Sequence, residues 1–259
     1  MNRKQFLFFG SLAFAVPGNL LGASKRNKSK CFVLVHGAWH GGWCWKKVTP
    51  LLQANGYSVY TPTLTGLGDR SHLLHPDVTL DTHINDIVSF IEFEDLKNVI
   101  LVGHSYAGMV ITGVAERISS RLSSLVYLDA FLPENGKAVV DYLPPAPQEQ
   151  PSVEPWRVKP ITDAAGFGVS DAHDAEWVNK RLCDQPLRTL IQPVKTTLQD
   201  KDIRRVFVQF TQTPWFSEAA ARAQKKQFFF YQLLTGGHDA MITKPKELAD
   251  ILLKDKAKM

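Results

Sequence analysis

The segment Val99-Ile-Leu-Val-Gly-His-Ser-Tyr-Ala-Gly108 constrains this chain more than any other. Four apolar residues, two of them valine and one isoleucine, spell a buried strand. Gly103-His104-Ser105-Tyr106-Ala107-Gly108 then breaks the run, and Met109 to Ile118 follows with a helical pattern. Strand, sharp turn and helix with a serine at the apex push the Ser105 hydroxyl out of the backbone at a strand's end. It then stands at a helix N-terminus whose amides face any developing anion. Small residues at 103, 107 and 108 let strand and helix approach around a strained serine. Ala107 stands where G-x-S-x-G has its second glycine, and its single methyl is small enough for the same turn. An ordinary strand-to-helix turn with a serine N-cap is the bland alternative.

Around this segment, strand-like and helix-like stretches alternate. Cys31–Val35, Tyr57–Tyr60, Leu125–Leu128, Ile203–Phe210 and Phe228–Leu234 read as further strands. Helices are expected over Trp45–Asn55, Thr79–Phe93, about Ala219–Gln224, and from Pro245 to about Lys256. The alternation predicts an α/β fold with a mostly parallel central sheet covered on both faces. From Pro133 to about residue 201, prolines at 133, 144, 145, 147, 151, 155 and 160 break any long element. This stretch reads as a cap inserted over the C-terminal edge of the sheet, splitting the core into 31–132 and 202–259. Its aromatics Trp156, Phe167 and Trp177 either line an entrance or pack cap to core.

Serine is a weak nucleophile at neutral pH and needs a base held by an acid. His238 follows the last predicted strand on a Gly-Gly turn, so it emerges at the same sheet edge as Ser105. The strand after the insertion ends Gln209-Phe-Thr-Gln-Thr-Pro214 without a carboxylate. The strand before the insertion ends in Asp129, which keeps the chain order serine, aspartate, histidine. Asp129 capping its own turn is the alternative. Asp202 and Glu218 are reserve candidates, and Asp239 is expected to point away from the site. His36 and His104 are expected to bond locally, while His40, His72, His75, His83 and His173 fall in loops or helix starts. An oxyanion needs two fixed donors, here the backbone N–H groups of Tyr106 and of Ala38 after the first strand.

The 259 residues suffice for one large domain, 44% hydrophobic and 21% charged. The net charge of +5 is scattered, without a basic stripe interleaved with aromatics, so nucleic acid is not an expected partner. Met1–Lys4 is positive, Phe6–Val16 is apolar and Leu21-Gly-Ala23 is small. Residues 1–23 therefore read as an export signal and 24–30 as a linker, with an uncleaved anchor as the alternative. No later segment is apolar enough to span a membrane. The three cysteines, Cys31, Cys44 and Cys183, have neither zinc nor redox spacing. One disulfide with a thiol left over and three unpaired thiols both fit.

Four stretches together, Val33-Leu-Val-His-Gly-Ala-Trp-His-Gly-Gly-Trp43, Thr61-Pro-Thr-Leu-Thr-Gly-Leu-Gly-Asp-Arg-Ser-His72, Gly103–Gly108 and Gly236-Gly-His238, carry a resemblance. The chain resembles the α/β-hydrolase superfamily over roughly Cys31 to Leu253. Within it, the resemblance is to the small esterases that include plant methylesterases, hydroxynitrile lyases and bacterial carboxylesterases such as pyrethroid hydrolases. It implies ester hydrolysis without a cofactor. An apolar, aromatic cap favours a hydrophobic small-molecule ester or lactone over a charged one, and no metal and a monomer or homodimer are expected. Two departures stand out. Plant members usually carry the acid after the later strand, where this chain has Thr211 and Gln212; Asp129 is similar in placement to the acid of some haloalkane dehalogenases. Those enzymes and epoxide hydrolases use an aspartate nucleophile, which Ser105 is not. Related hydroxynitrile lyases look to have a lysine after the histidine, where this chain has Asp239. Lyase chemistry and ligand binding without turnover on the same fold are the competing expectations.

Overall fold

The computed structural model describes residues 30–144, 154–197 and 203–254. The expected signal and all of the linker except Lys30 lie outside the described residues, as does Asp202. In chain order the first half comprises β1 (Cys31–Val35), α1 (Thr49–Gln53), β2 (Ser58–Tyr60), α2 (Leu80–Phe93), β3 (Val99–His104), α3 (Ala107–Ile118) and β4 (Leu122–Leu128). Between β4 and β7 the described residues hold a 3-10 turn (Val139–Tyr142) and the short pieces β5 (Arg157–Val158), α4 (Ala172–Asn179), β6 (Gln185–Pro186) and α5 (Arg188–Ile191). Then come β7 (Arg204–Phe210), α6 (Ser217–Lys225), β8 (Phe229–Leu233), α7 (Ala240–Thr243) and α8 (Pro245–Lys254).

Six strands form one sheet in the order β2-β1-β3-β4-β7-β8. Every neighbouring pair in it is parallel. The continuous apolar runs result from burial on both faces. Along β1, Val33 and Val35 enter one core with Leu101, Tyr127 and Phe207, against α2, α3 and α6. Phe32 and Leu34 enter the other with Val102, Val126 and Val208, against α1, α7 and α8. α2 starts cleanly because Thr79 and Thr82 exchange hydrogen bonds at its N-terminus in a capping box.

The helix expected over Trp45–Asn55 is shorter. A 3-10 turn covers Gly42–Trp45, and α1 begins only at Thr49. Pro50 explains the break, since it has no N–H for a carbonyl one turn earlier and is tolerated only in a first helical turn. The three cysteines are unpaired, Cys31 and Cys44 buried and Cys183 partly so. Among the described residues no helix is long and apolar enough to cross a membrane.

All parallel strands end at one edge. The loops after β1, β3, β4, β7 and β8 meet there, and β1 lies between β2 and β3, so successive connections leave it on opposite sides. The crevice at such a point is where open α/β sheets hold ligands.

Candidate active site

Ser105 follows the last residue of β3 and has a φ of +55°. That left-handed backbone is costly for a residue with a Cβ and is sustained only by surrounding bonds. Here the Ser105 N–H donates to the Leu128 carbonyl at 3.2 Å, and the Ser105 carbonyl accepts from Gly108 and Phe131, each at 3.1 Å. Gly108 is obligatory, because a Cβ there would lie 1.9 Å from the Phe131 carbonyl oxygen. The elbow and the loop after β4 are thus locked together. The Ser105 side chain is half-buried and makes no hydrogen bond among the described residues. Unliganded sites often hold such bonds open.

That loop begins with Asp129, also left-handed at φ +42° and fully buried. Its amide donates to the Val208 carbonyl at 2.8 Å, so β4 stays paired to β7 one residue beyond its end. The carboxylate accepts from the ring Nδ1 of His238 at 2.7 Å, the Thr213 hydroxyl at 3.3 Å and the Phe210 amide at 3.3 Å. His238 is 2% exposed. With Nδ1–H committed to Asp129, the neutral ring presents Nε2 as a proton acceptor. The turn carrying it is seated tightly, since a Cβ on Gly237 would meet the Gly168 backbone at 2.6 Å. His104, at the end of β3, donates from Nε2 to the His238 carbonyl at 2.9 Å, with the two rings 4.3 Å apart. His104 therefore binds the His238 backbone to the strand that carries Ser105. Burial and the neighbouring His238 and His40 hold its own pKa well below the ordinary value.

In the loop after β1, side chains hold the Gly37–Ala38 and Ala38–Trp39 peptides. His36 Nδ1–H donates to the Gly37 carbonyl at 2.8 Å, and its Nε2 accepts the Leu64 amide at 3.1 Å. A ring nitrogen already receiving an N–H has no room for a proton, and burial lowers the His36 pKa to about 3. The next peptide is held at both ends: the Ala38 carbonyl accepts from His40 Nδ1–H at 2.7 Å, and the Trp39 amide donates to Gln185 Oε1 at 3.2 Å. Trp39 is thereby kept at φ +63°. The backbone N–H groups of Ala38 and Tyr106 donate to no acceptor among the described residues. The Tyr106 side chain is buried, its hydroxyl donating to His83 Nδ1 at 3.0 Å while His83 Nε2–H donates to the Thr65 carbonyl at 2.8 Å. Burial pushes the tyrosine up and lowers His83 to about 4.

Asp129 and His238 are in direct contact, and Ser105, Ala38 and Tyr106 stand at the same sheet edge. Glu218 lies exposed in the first turn of α6. Asp239 does turn away from His238, but to a definite partner: its Oδ2 accepts from His40 Nε2 at 3.0 Å. That pairing of His40 with the residue after His238 is not visible in the sequence, which places His40 only in a loop or helix start. Of the three aromatics expected from the inserted stretch, Phe167 reaches the site, its ring stacked 6.1 Å from that of His238. Trp177 packs on Trp43, and Trp156 sits beside Arg157. Trp215 at 4.8 Å and Phe216 at 5.5 Å also flank the His238 ring, and both come from the turn after β7. Their signal was present as Pro214-Trp-Phe216, directly after a strand ending at the functional edge. A cleft of about 790 Å³ lined by Trp43, Thr63, Asp69, Lys180 and Cys183 contains none of Ser105, Asp129 or His238.

Residues 32–251 match the alpha/beta hydrolase family. The chain belongs to that family. It is 41% identical over 238 residues to the carbendazim hydrolyzing esterase of Nocardioides sp. (strain SG-4G), covering 85% of this chain and 97% of that one. It is 34% identical over 105 residues to methylesterase 10 of Arabidopsis thaliana, covering 40% of this chain and 38% of that protein. Among solved structures, an extracellular alpha/beta-hydrolase from a Paenibacillus species superposes with a TM-score of 0.69 at 25% identity. The superposition covers 87% of this chain and 98% of the other. That structure is described as sharing structural and functional homology with tobacco salicylic acid binding protein 2.

Proposed function

We propose that this hydrolase-family chain is a serine carboxylesterase acting on a hydrophobic carboxylic ester through an acyl-enzyme. The observation that carries the reading is the buried 2.7 Å bond from His238 Nδ1 to Asp129, at the strand edge where the Ser105 elbow ends. Relatives that include a carbendazim hydrolyzing esterase and methylesterases support ester chemistry.

In this reading Ser105 Oγ attacks the ester carbonyl while His238 Nε2 takes its proton. Asp129 keeps the imidazole in the Nδ1–H tautomer and stabilises the imidazolium. The carbonyl oxygen, now an anion, accepts from the Ala38 and Tyr106 amides, each worth about 3 kcal/mol of barrier. His238 returns the proton to the leaving alcohol, then activates a water that frees the acid and restores the serine. Trp215, Phe216 and Phe167 form an aromatic wall around the base, which suits an apolar substrate. Every group the cycle needs is a side chain or backbone amide of the chain, so the proposal invokes no cofactor. The Asp239 carboxylate faces His40 rather than the serine, and no observation favours cyanohydrin cleavage.

Replacing Ser105 with Ala tests the reading on a p-nitrophenyl butyrate assay. Turnover is expected to fall by about 10⁴-fold or more. Retained turnover removes Ser105 as the nucleophile.

A further inference from the structure

The proposed cycle leaves one buried ionic group unused. His40 and Asp239 are 1% and 0% exposed, and they pair 199 residues apart in the chain. Both acceptors facing the His40 ring are oxygens, the Ala38 carbonyl and Asp239 Oδ2, so both ring nitrogens carry hydrogen. Asp239 Oδ1 is buried without a partner among the described residues. A pair buried at that cost adds little stability beyond what an apolar pair of the same shape would give, yet it fixes geometry strongly. What it fixes here is specific. One end holds the carbonyl of Ala38, and the other end is the residue next to His238. The Asp239 amide is itself anchored, donating to the Phe167 carbonyl at 2.9 Å.

We propose that the His40–Asp239 ion pair is a positioning device that sets the oxyanion-binding loop against the turn carrying His238. The inference rests on the reading of the Ala38 and Tyr106 amides as oxyanion donors. The Ala38 N–H belongs to the Gly37–Ala38 peptide, whose carbonyl is held by His36. The following peptide is held by His40 and Gln185. Freeing the second peptide releases Trp39 from its left-handed conformation and lets the loop relax, taking the Ala38 amide with it. His36 and His40 therefore divide the work by protonation state. The neutral one accepts from Leu64, and the charged one bridges a carbonyl and a carboxylate.

The surroundings of His40 agree with a charged ring. Trp43 stacks on it at 5.2 Å, Phe167 meets it edge-on at 5.2 Å, and His104 lies edge-on at 6.5 Å. The Cys183 thiol bonds the His40 carbonyl at 3.9 Å, and burial keeps that thiol protonated by raising its pKa. Burial disfavours the His40 cation, but the Asp239 carboxylate and the Ala38 carbonyl together outweigh it, and the pKa is raised. Burial holds His36 and His104 neutral, and burial with the Asp239 charge keeps the Cys44 thiol protonated.

The test uses the full chain and D239N, a neutral isostere, with p-nitrophenyl butyrate. Rates are normalised to active serine titrated to endpoint with an alkyl phosphonate. The expected result is a kcat per titrated serine lowered tenfold or more, with KM within about twofold of wild type. The inhibition constant of a trifluoromethyl ketone, which forms a tetrahedral oxyanion on serine, should rise by a similar factor. An unchanged kcat per titrated serine, with only fewer active molecules, overturns the proposal and leaves the pair a packing element. Should D239N not fold, nitrogen NMR of the wild-type protein decides: His40 doubly protonated at pH 8 supports the positioning role, and a neutral His40 overturns it. A wild-type protein with no ester turnover, or an active S105A, overturns the esterase reading itself, so the two failures are told apart.

Discussion

Replacing Asp129 with Asn keeps the shape of the side chain and removes its charge, and the bonds around it decide the consequence. The carboxylate accepts three hydrogen bonds, from His238 Nδ1, the Phe210 amide and the Thr213 hydroxyl. An amide has one acceptor oxygen. The Phe210 N–H cannot turn, so the oxygen stays with it and the new NH2 faces His238 Nδ1. The imidazole must then accept at Nδ1 and carry its proton on Nε2, where it cannot take one from Ser105. The imidazolium of the transition state also loses its counter-charge in a site where Asp129 and His238 are 0% and 2% exposed. A wrong-tautomer substitution of this kind costs about 10⁴ in kcat, or about 5.5 kcal/mol of barrier. The assay is steady-state hydrolysis of p-nitrophenyl butyrate alongside chemical denaturation, so that lost turnover is separated from lost fold. D129N within tenfold of wild type refutes the assignment. A 10⁴-fold loss in D202N instead would move the acid to Asp202.

Acid stability depends on three buried histidines, His36, His83 and His104, the last held well below its ordinary value. His36 and His83 have folded pKa values lowered to about 3 and about 4, below the ordinary 6.5 of the unfolded chain. Their contribution is complete above pH 6.5 and is lost as pH falls toward those values. The loss is about 2 kcal/mol for each by pH 5. His40 has the opposite sign, being stabilising below pH 6.5 and less so as pH rises through its raised value, and it partly offsets the loss. Urea midpoints between pH 7.5 and 4.5 should therefore fall steeply below about pH 6.5; a flat profile contradicts the burial argument. W215A should raise KM for aryl esters about five- to tenfold with kcat little changed, because the ring is 44% exposed and lies 4.8 Å from His238. Equal effects on acetate and aryl esters would remove Trp215 from substrate contact.

The parts of the site legible in the sequence are those tied to strand ends. Ser105 was readable because an apolar run stops at glycine and a helix starts at once. Asp129 and His238 were readable because each follows a strand, and parallel strands deliver their ends to one edge. The helix expected over Trp45–Asn55 is cut short for a local reason, since Pro50 is accommodated only in a first helical turn. The stretch between β4 and β7 resisted for a different one. Its strands β5 and β6 are two residues each and exist because they pair with one another, which leaves no periodic signature. The His40–Asp239 pair is purely tertiary. No pattern within either segment indicates that an imidazole after β1 meets a carboxylate after β8.

The sheet register explains how Asp129, after β4, can take the place that the family resemblance expects of a residue after the later strand. β4 and β7 are paired neighbours, with Leu128 opposite Val208. The first residue beyond β4 continues that pairing through the Asp129 amide and Val208 carbonyl. From these two neighbouring strand ends the Asp129 carboxylate and the Thr213 hydroxyl meet beside His238. When β4 supplies the carboxylate, the end of β7 is left to supply donors, and here it does so with the Phe210 amide and the Thr213 hydroxyl. The absence of an acid at Thr211 and Gln212 is then no gap in the constellation. Thr211 and Gln212 themselves turn toward the end of β8, where their side chains donate to the Leu233 and Leu234 carbonyls. The positive φ at Asp129 has the same origin, because the chain must stay bonded to β7 while turning its side chain toward His238.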